Sequence, residues 1–209
     1  MPAKEVTMSE QLFYHTIERN STAEYKDRGS RFIALAFPIS SVDDFKKQYL
    51  QIKKDHAKAV HHCFAYRIGN DGNVFRVSDD GEPSGTAGKP ILGQLDSKQV
   101  VDAAVVVVRY FGGTLLGVPG LINAYKSATS MALQLTPLVQ KQVMLPYKLS
   151  FDYTRMNDVM LIIKQFGCNI QSSETMLFCE MNVALPKGRL DEVLFKLNEL
   201  RTVEVVAMR

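Results

Sequence analysis

The chain has 209 residues, 46% of them hydrophobic, with 25 Lys and Arg against 22 Asp and Glu for a net charge of +3. That apolar content is enough for the core of one or two domains, and no apolar run approaches the roughly 20 residues that span a bilayer. Cys63, Cys168 and Cys179 form no C-x-x-C pair, which excludes a disulfide framework and fits a reducing cytoplasm.

The first residues lack an apolar core, so no secretion signal and a cytoplasmic location are expected. Charge is uneven along the chain. Up to Lys141 there are 17 basic and 14 acidic residues; from Gln142 there are 8 of each. An excess in the first part permits nucleic-acid contact without demanding it.

Tyr14–Glu18 and Arg31–Ile39 read as strands. Ser41 is placed to cap a helix whose apolar stripe is Val42, Phe45, Tyr49 and Ile52, with Lys46, Lys47, Lys53 and Lys54 off that stripe. His62–Ile68 and Val74–Val77 form a hairpin pattern around Asn70-Asp71-Gly72. A polar loop, Asp79–Lys89, leads to a short helix over Pro90–Gln99, then to the continuous apolar run Ala103–Val108, a buried strand. After the glycines of Gly112–Gly117, Pro119 suits a first helical turn, and Leu121, Ala124, Tyr125, Ala128, Ala132 and Leu135 carry the helix onward.

The pattern then changes. Leu135–Gln142 reads as the border, giving domains over 1–137 and 138–209. Apolar residues alternate from Val143 to Tyr153, so one strand face is buried. Thr154 is placed to cap a helix bearing Val159, Ile162, Ile163 and Phe166, with Gly167 after its end. Two strands over Cys168–Leu185, a helix with Leu190, Val193, Leu194 and Leu197, and a strand at Val203-Glu204-Val205 complete the order β-α-β-β-α-β. The predicted class is α+β, with a ferredoxin-like sandwich as the second domain.

Two segments concentrate chemistry: Ser78–Pro90, which contains Asp79, Asp80, Glu82, Ser84, Gly85, Thr86 and Lys89, and Arg109–Gly117. The second places a glycine turn between a strand and a helix N-terminus, an arrangement that attracts anions, with Arg109 at the strand end. Gly112-Gly113-x-x-x-Gly117-x-x-Gly120 does not match G-x-G-x-x-G, and Gly85–Lys89 is too short for a phosphate-binding P-loop, with Pro90 in place of its Ser or Thr. Acidic residues in turns commonly cap backbone N–H groups. Hydrogen bonds from Arg109 to the Asp79–Gly88 loop would make both motifs structural.

His61 and Cys63 share a strand face while His62 points away, so a metal would meet two ligands and need His56 or Asp79 as a third. No metal and no cofactor is assigned. No G-x-S-x-G, H-E-x-x-H or recognisable catalytic cysteine frame is present. A hydrolase-like alternative would use Asp79, Asp80, Glu82 and Ser84, with His61 or His62 as base.

Ser30-Arg31-Phe32, His61–Arg67, the string Ser78–Gly88, Arg109–Gly113 and Leu116-Gly117-x-x-Gly120-Leu121-x-x-Ala124-Tyr125 resemble the YigZ/Impact family. The likeness covers roughly the first two-thirds, and the remainder resembles the small C-terminal domain of bacterial members. Many relatives have a glycine pair before the position of Leu121; here Pro119 stands beside Gly120 and removes one N–H donor. The resemblance implies a first domain similar to ribosomal proteins and to the fourth domain of elongation factor G, and a second similar to that factor's fifth domain. Eukaryotic Impact proteins act in translational control, largely through protein partners, and no enzymatic activity comes with the family. The expected function is non-enzymatic binding of RNA or a translation-associated surface, with no membrane partner and no assigned oligomeric state. Its candidate contacts are Arg31, His61, Arg67, Asp79, Asp80, Glu82, Ser84, Gly85, Thr86, Lys89, Arg109, Gly112 and Gly113. A protein-interaction module is the main alternative.

Overall fold

A computed structural model describes residues 11–176 and 178–208. The chain divides into two compact units, Tyr14–Lys141 and a second that joins Gln142 onward with the segment ending at Phe13. Both are α+β. In chain order the first contains β1 (Phe13–Ile17), β2 (Ser21–Asp27), β3 (Ser30–Pro38), α1 (Val42–Asp55), β4 (His61–Ile68), β5 (Val74–Ser78), α2 (Gly88–Ser97), β6 (Ala103–Tyr110), α3 (Gly117–Gln134) and β7 (Leu138–Gln142).

Five of these strands form an antiparallel sheet in the order β2-β3-β6-β4-β5. β6 is central, and Ala103–Val108 are fully buried. That explains its uninterrupted apolar run: Val105 and Val107 belong to the core under α2 and α3, Val106 and Val108 to the core under α1. On the first side Ala34 and Ala36 of β3 pack under α3, which brings Ala124 and Ala128 to the same fully buried core, and Ala65 of β4 packs under α2, so small residues let helices and sheet approach closely. On the other, Phe45 of α1 packs against Phe64 and Tyr66 with ring centroids 4.8 and 4.7 Å apart. Ser41 caps α1 as expected, its Oγ accepting from the Asp44 N–H at 3.1 Å.

Two strands were not expected. β2 joins β3 through Arg28 and Gly29, both at positive φ (44° and 80°), the two-residue turn that suits hairpin twist. β7 pairs with β1 in a separate two-stranded sheet.

The second unit contains β8 (Met144–Asp152), α4 (Met156–Phe166), β9 (Asn169–Thr175), β10 (Phe178–Pro186), α5 (Leu190–Glu199) and β11 (Val203–Ala207). The sheet order β11-β8-β10-β9 is that of a ferredoxin-like sandwich. Leu149, Phe151, Met181 and Val183 face a core completed by Val159, Ile163, Val193 and Leu197 of the two helices. Gly167 ends α4 at φ +65°. Thr154 does not cap α4. Asp152 accepts from the Thr154 N–H at 2.8 Å and starts a 3-10 turn over Tyr153–Arg155 that runs into the helix.

Candidate functional site

The Asp79–Gly88 loop is organised by one carboxylate. Asp79 Oδ2 accepts from the Gly85 N–H at 2.9 Å, and Oδ1 accepts from those of Ala87 and Gly88 at 3.0 and 2.8 Å. The last two open α2, so Asp79 caps from outside a helix that has no capping side chain of its own. Gly88 is required here, because a Cβ would stand 2.9 Å from the backbone N of Ser78.

Partial burial raises the Asp79 pKa, but the three N–H donors outweigh it and hold the carboxyl below its ordinary 3.8. A depressed native pKa means stabilisation that is complete above the unfolded value and is lost as pH falls through the native one. Asp79→Ala should therefore cost about 1–2 kcal/mol near neutrality. It should also flatten the stability curve below about pH 4, measured by urea unfolding across pH.

Beneath the loop lies a buried polar network. Arg109, at the end of β6, donates from Nη1 to Glu82 Oε1 at 2.7 Å, and their side chains are only 6% and 3% exposed. The same oxygen accepts from Tyr125 Oη of α3 at 2.8 Å. Ser30 Oγ accepts from the Gly112 N–H at 3.2 Å and lies 3.5 Å from Arg109 Nη2. The guanidinium carbon sits 5.3 and 5.5 Å from the ring centroids of Phe32 and Phe111. Arg109 Nε has no hydrogen-bond partner among the described residues.

Cys63 completes the network, its thiol 2.9 Å from the Asp79 carbonyl oxygen and 3.3 Å from Tyr125 Oη. Burial pushes the Cys63 thiol and the Tyr125 phenol far above their ordinary values. Both stay neutral at physiological pH, and a neutral thiol is a poor nucleophile.

His61 Nε2 is 3.9 Å from Glu82 Oε1, and its Nδ1 is 2.8 Å from the Asp80 carbonyl oxygen. Asp80 adopts φ +40° and accepts from the His62 N–H at 2.6 Å. Ser84 is exposed and makes no side-chain hydrogen bond among the described residues, so no Ser–His pair forms. Thr86 is buried, its hydroxyl donating to the Pro83 carbonyl at 2.7 Å. No group of three or more His, Cys, Asp and Glu among the described residues is placed to hold a metal.

Of the remaining positions, only Gly112 touches this network, through its N–H to Ser30. Arg67 sits at the other end of β4, where it meets Asp96 at 2.5 Å and the Gly72 carbonyl at 2.6 Å. β6 pairs with Arg67 at Ala103 but with His61 at Arg109, which puts Arg67 about 20 Å from the network along the strand. Arg31, Lys89, Gly112 and Gly113 are exposed. Arg31 pairs with Glu24 at 2.8 Å and lies 5.6 Å from the Tyr110 ring centroid. Gly112 is pressed against Gly29, while a Cβ at Gly113 would meet nothing.

The Impact N-terminal domain profile matches residues 28–133. The chain is 33% identical over 193 residues to IMPACT family member YvyE of Bacillus subtilis, across 85% of this chain and 89% of that one. The chain belongs to the IMPACT family. It is also 36% identical over 170 residues to IMPACT family member YigZ of Escherichia coli, across 80% and 83% of the two chains. A crystal structure described as that of a hypothetical protein is similar over 95% of this chain and 98% of its own, with a TM-score of 0.79 and 31% identity.

Within this IMPACT chain three more residues complete the network: Ser30, for which the sequence suggested no role, Cys63, which it offered only as one of two metal ligands, and Tyr125, which it placed only on the apolar stripe of α3. A signal was present for Tyr125, a phenol on the apolar stripe of an alanine-rich helix, since buried tyrosines need a hydrogen-bond partner. Arg28 and Phe111 escaped notice as rim residues because the Arg28–Gly29 turn that packs on Gly112 joins an unexpected strand.

Proposed function

We propose that this IMPACT chain is a non-enzymatic binding protein of the translation apparatus that contacts RNA, free or on the ribosome, through the exposed rim of its first unit. The observation that carries this reading is Phe111. The residue is 48% exposed and adjoins exposed Gly112 and Gly113, with Arg28 and Arg31 exposed on the hairpin that touches Gly112. An exposed ring stacks on a base, glycines admit a backbone closely, and cations meet phosphates. Lys89, exposed at the start of α2, adds a further cation. The Arg31–Glu24 pair is solvent-exposed, and such pairs are weak enough to exchange for phosphate.

This reading moves the contacts from Arg109 to the rim, because Arg109 is buried against Glu82. The resemblance to eukaryotic Impact proteins, which act in translational control, supports the link to translation.

Fluorescence anisotropy with a structured RNA at rising salt tests it. Log affinity should fall linearly with log salt, and Arg28→Ala/Arg31→Ala/Lys89→Ala should reduce the slope by about 2–3. Phe111→Ala should cost about 1–3 kcal/mol of binding, with only a small fall in melting temperature from the lost contact with Arg109. Salt-independent binding, or a slope unaltered in the triple variant, would refute the reading. An intact chain that ignores RNA and instead retains one protein after nuclease treatment would assign the rim to a protein partner.

A further inference from the structure

The helices of the second unit cover one face of its sheet and leave the other open. Because Leu149, Phe151, Met181, Val183, Val203 and Val205 pack with the helices, the alternate residues Lys148, Ser150, Glu180, Asn182, Glu204 and Val206 stand on the open face. The strand register aligns them. Glu204 pairs with Ser150, Ser150 with Glu180, and Glu180 with Glu174. One row across all four strands thus carries three carboxylates, spread over about 14 Å.

This row is costly. Glu180 and Glu174 are directly opposite each other, and like charges so placed repel. Among the described residues, Lys148, at 2.8 Å from Glu180, is the one cation in contact with the row, and Glu174 and Glu204 form no ion pair. The helices differ, since Asp158, Glu192 and Glu199 each pair with a base one turn away.

Two other features share the open face. A shallow cavity of about 260 Å³ runs between Lys148, Glu174, Glu180, Asn182 and Met208. Apolar groups flank the acidic row: Val206 and Met208 on one side, 48% and 41% exposed, and Phe178 on the other, 69% exposed.

We infer that this face docks a basic segment of a partner protein, rich in arginine or lysine, laid across the four strands. Its cations would relieve the uncompensated carboxylates, and its methylene stems would cover the flanking apolar groups. A phosphate backbone would meet the same carboxylates as repulsion, so this face is not a second RNA surface.

The full chain should be titrated with a short labelled peptide of arginine and leucine, following backbone amides by NMR. Saturable shifts confined to the open-face rows of β8–β11 are expected. The Glu174→Gln/Glu180→Gln/Glu204→Gln variant should bind about tenfold or more weakly, with its melting temperature equal or higher because repulsion is removed. Equal peptide affinity in that variant, shifts elsewhere, or the same shifts on titration with RNA would each overturn the inference. A lower melting temperature would also do so, since it would make the carboxylates structural. None of these results bears on RNA binding at the Phe111 rim.

Discussion

Arg109→Met should lower the free energy of unfolding by about 3–5 kcal/mol, because it strands Glu82 as a buried carboxylate without its cation. Glu82 would keep the Tyr125 hydroxyl at 2.8 Å, but one neutral donor does not replace a guanidinium in a site 3% exposed. The cost arises from the charge left behind more than from the value of the pair, so Arg109→Met/Glu82→Gln should lose clearly less than the two single losses combined. Urea unfolding of the three variants measures this coupling. Additive losses would show that Glu82 does not depend on Arg109. Arg31→Ala removes a similar-looking ion pair at the surface, and its unfolding midpoint should barely move. A folded Arg109→Met chain with unchanged RNA affinity would place Arg109 in the scaffold and the contacts on the rim above it.

Gly112→Ala and Gly113→Ala should differ sharply although they are neighbours. A Cβ on Gly112 would stand 1.9 Å from the Gly29 carbonyl carbon and 2.2 Å from the Ser30 N. Both atoms are backbone, so the β2–β3 turn must move away, carrying with it the Ser30 hydroxyl that accepts from Gly112 and approaches Arg109. A loss of about 3 kcal/mol or more is expected, at the upper end for overpacking. Gly113 has φ +86° and open space around its Cβ position, so alanine there bears only backbone strain of about 1–2 kcal/mol. Thermal melts of the two variants give the comparison, and equal losses would mean that the contact with Gly29 does not constrain the loop.

Most elements that were legible in the sequence share a physical property: their side chains alternate or recur because one face is buried. That is why β8, α4, β10 and α5 of the second unit and the buried run of β6 are recognisable, whereas β5 and β9 bury no residue and were legible without it. β2 fails this criterion. As an edge strand, Ser-Thr-Ala-Glu-Tyr-Lys-Asp buries little besides Ala23, so its pattern resembles a loop. β7 buries almost nothing and exists because β1 lies beside it. The site was legible as a set of residues but not as an arrangement. Asp79, Glu82 and Arg109 are conspicuous in the string, yet nothing in their spacing reveals that Glu82 and Arg109, far apart in the chain, face each other indoors while Arg31 and Lys89 stay outside. Arg67 was drawn in by its place in a shared motif, whereas the length of β4 puts it at the opposite end of the sheet.

The β1–β7 pairing has a practical corollary for dissecting the chain. Residues 28–133, the span of the family profile, leave out both of these strands, the bond from the Glu18 N–H to the Pro137 carbonyl and all of β2. A fragment cut to those limits would expose β3 as a raw sheet edge, inviting aggregation. A fragment that retains both strands keeps its two ends adjacent, and the same adjacency makes this half of the molecule suited to circular permutation through a short linker.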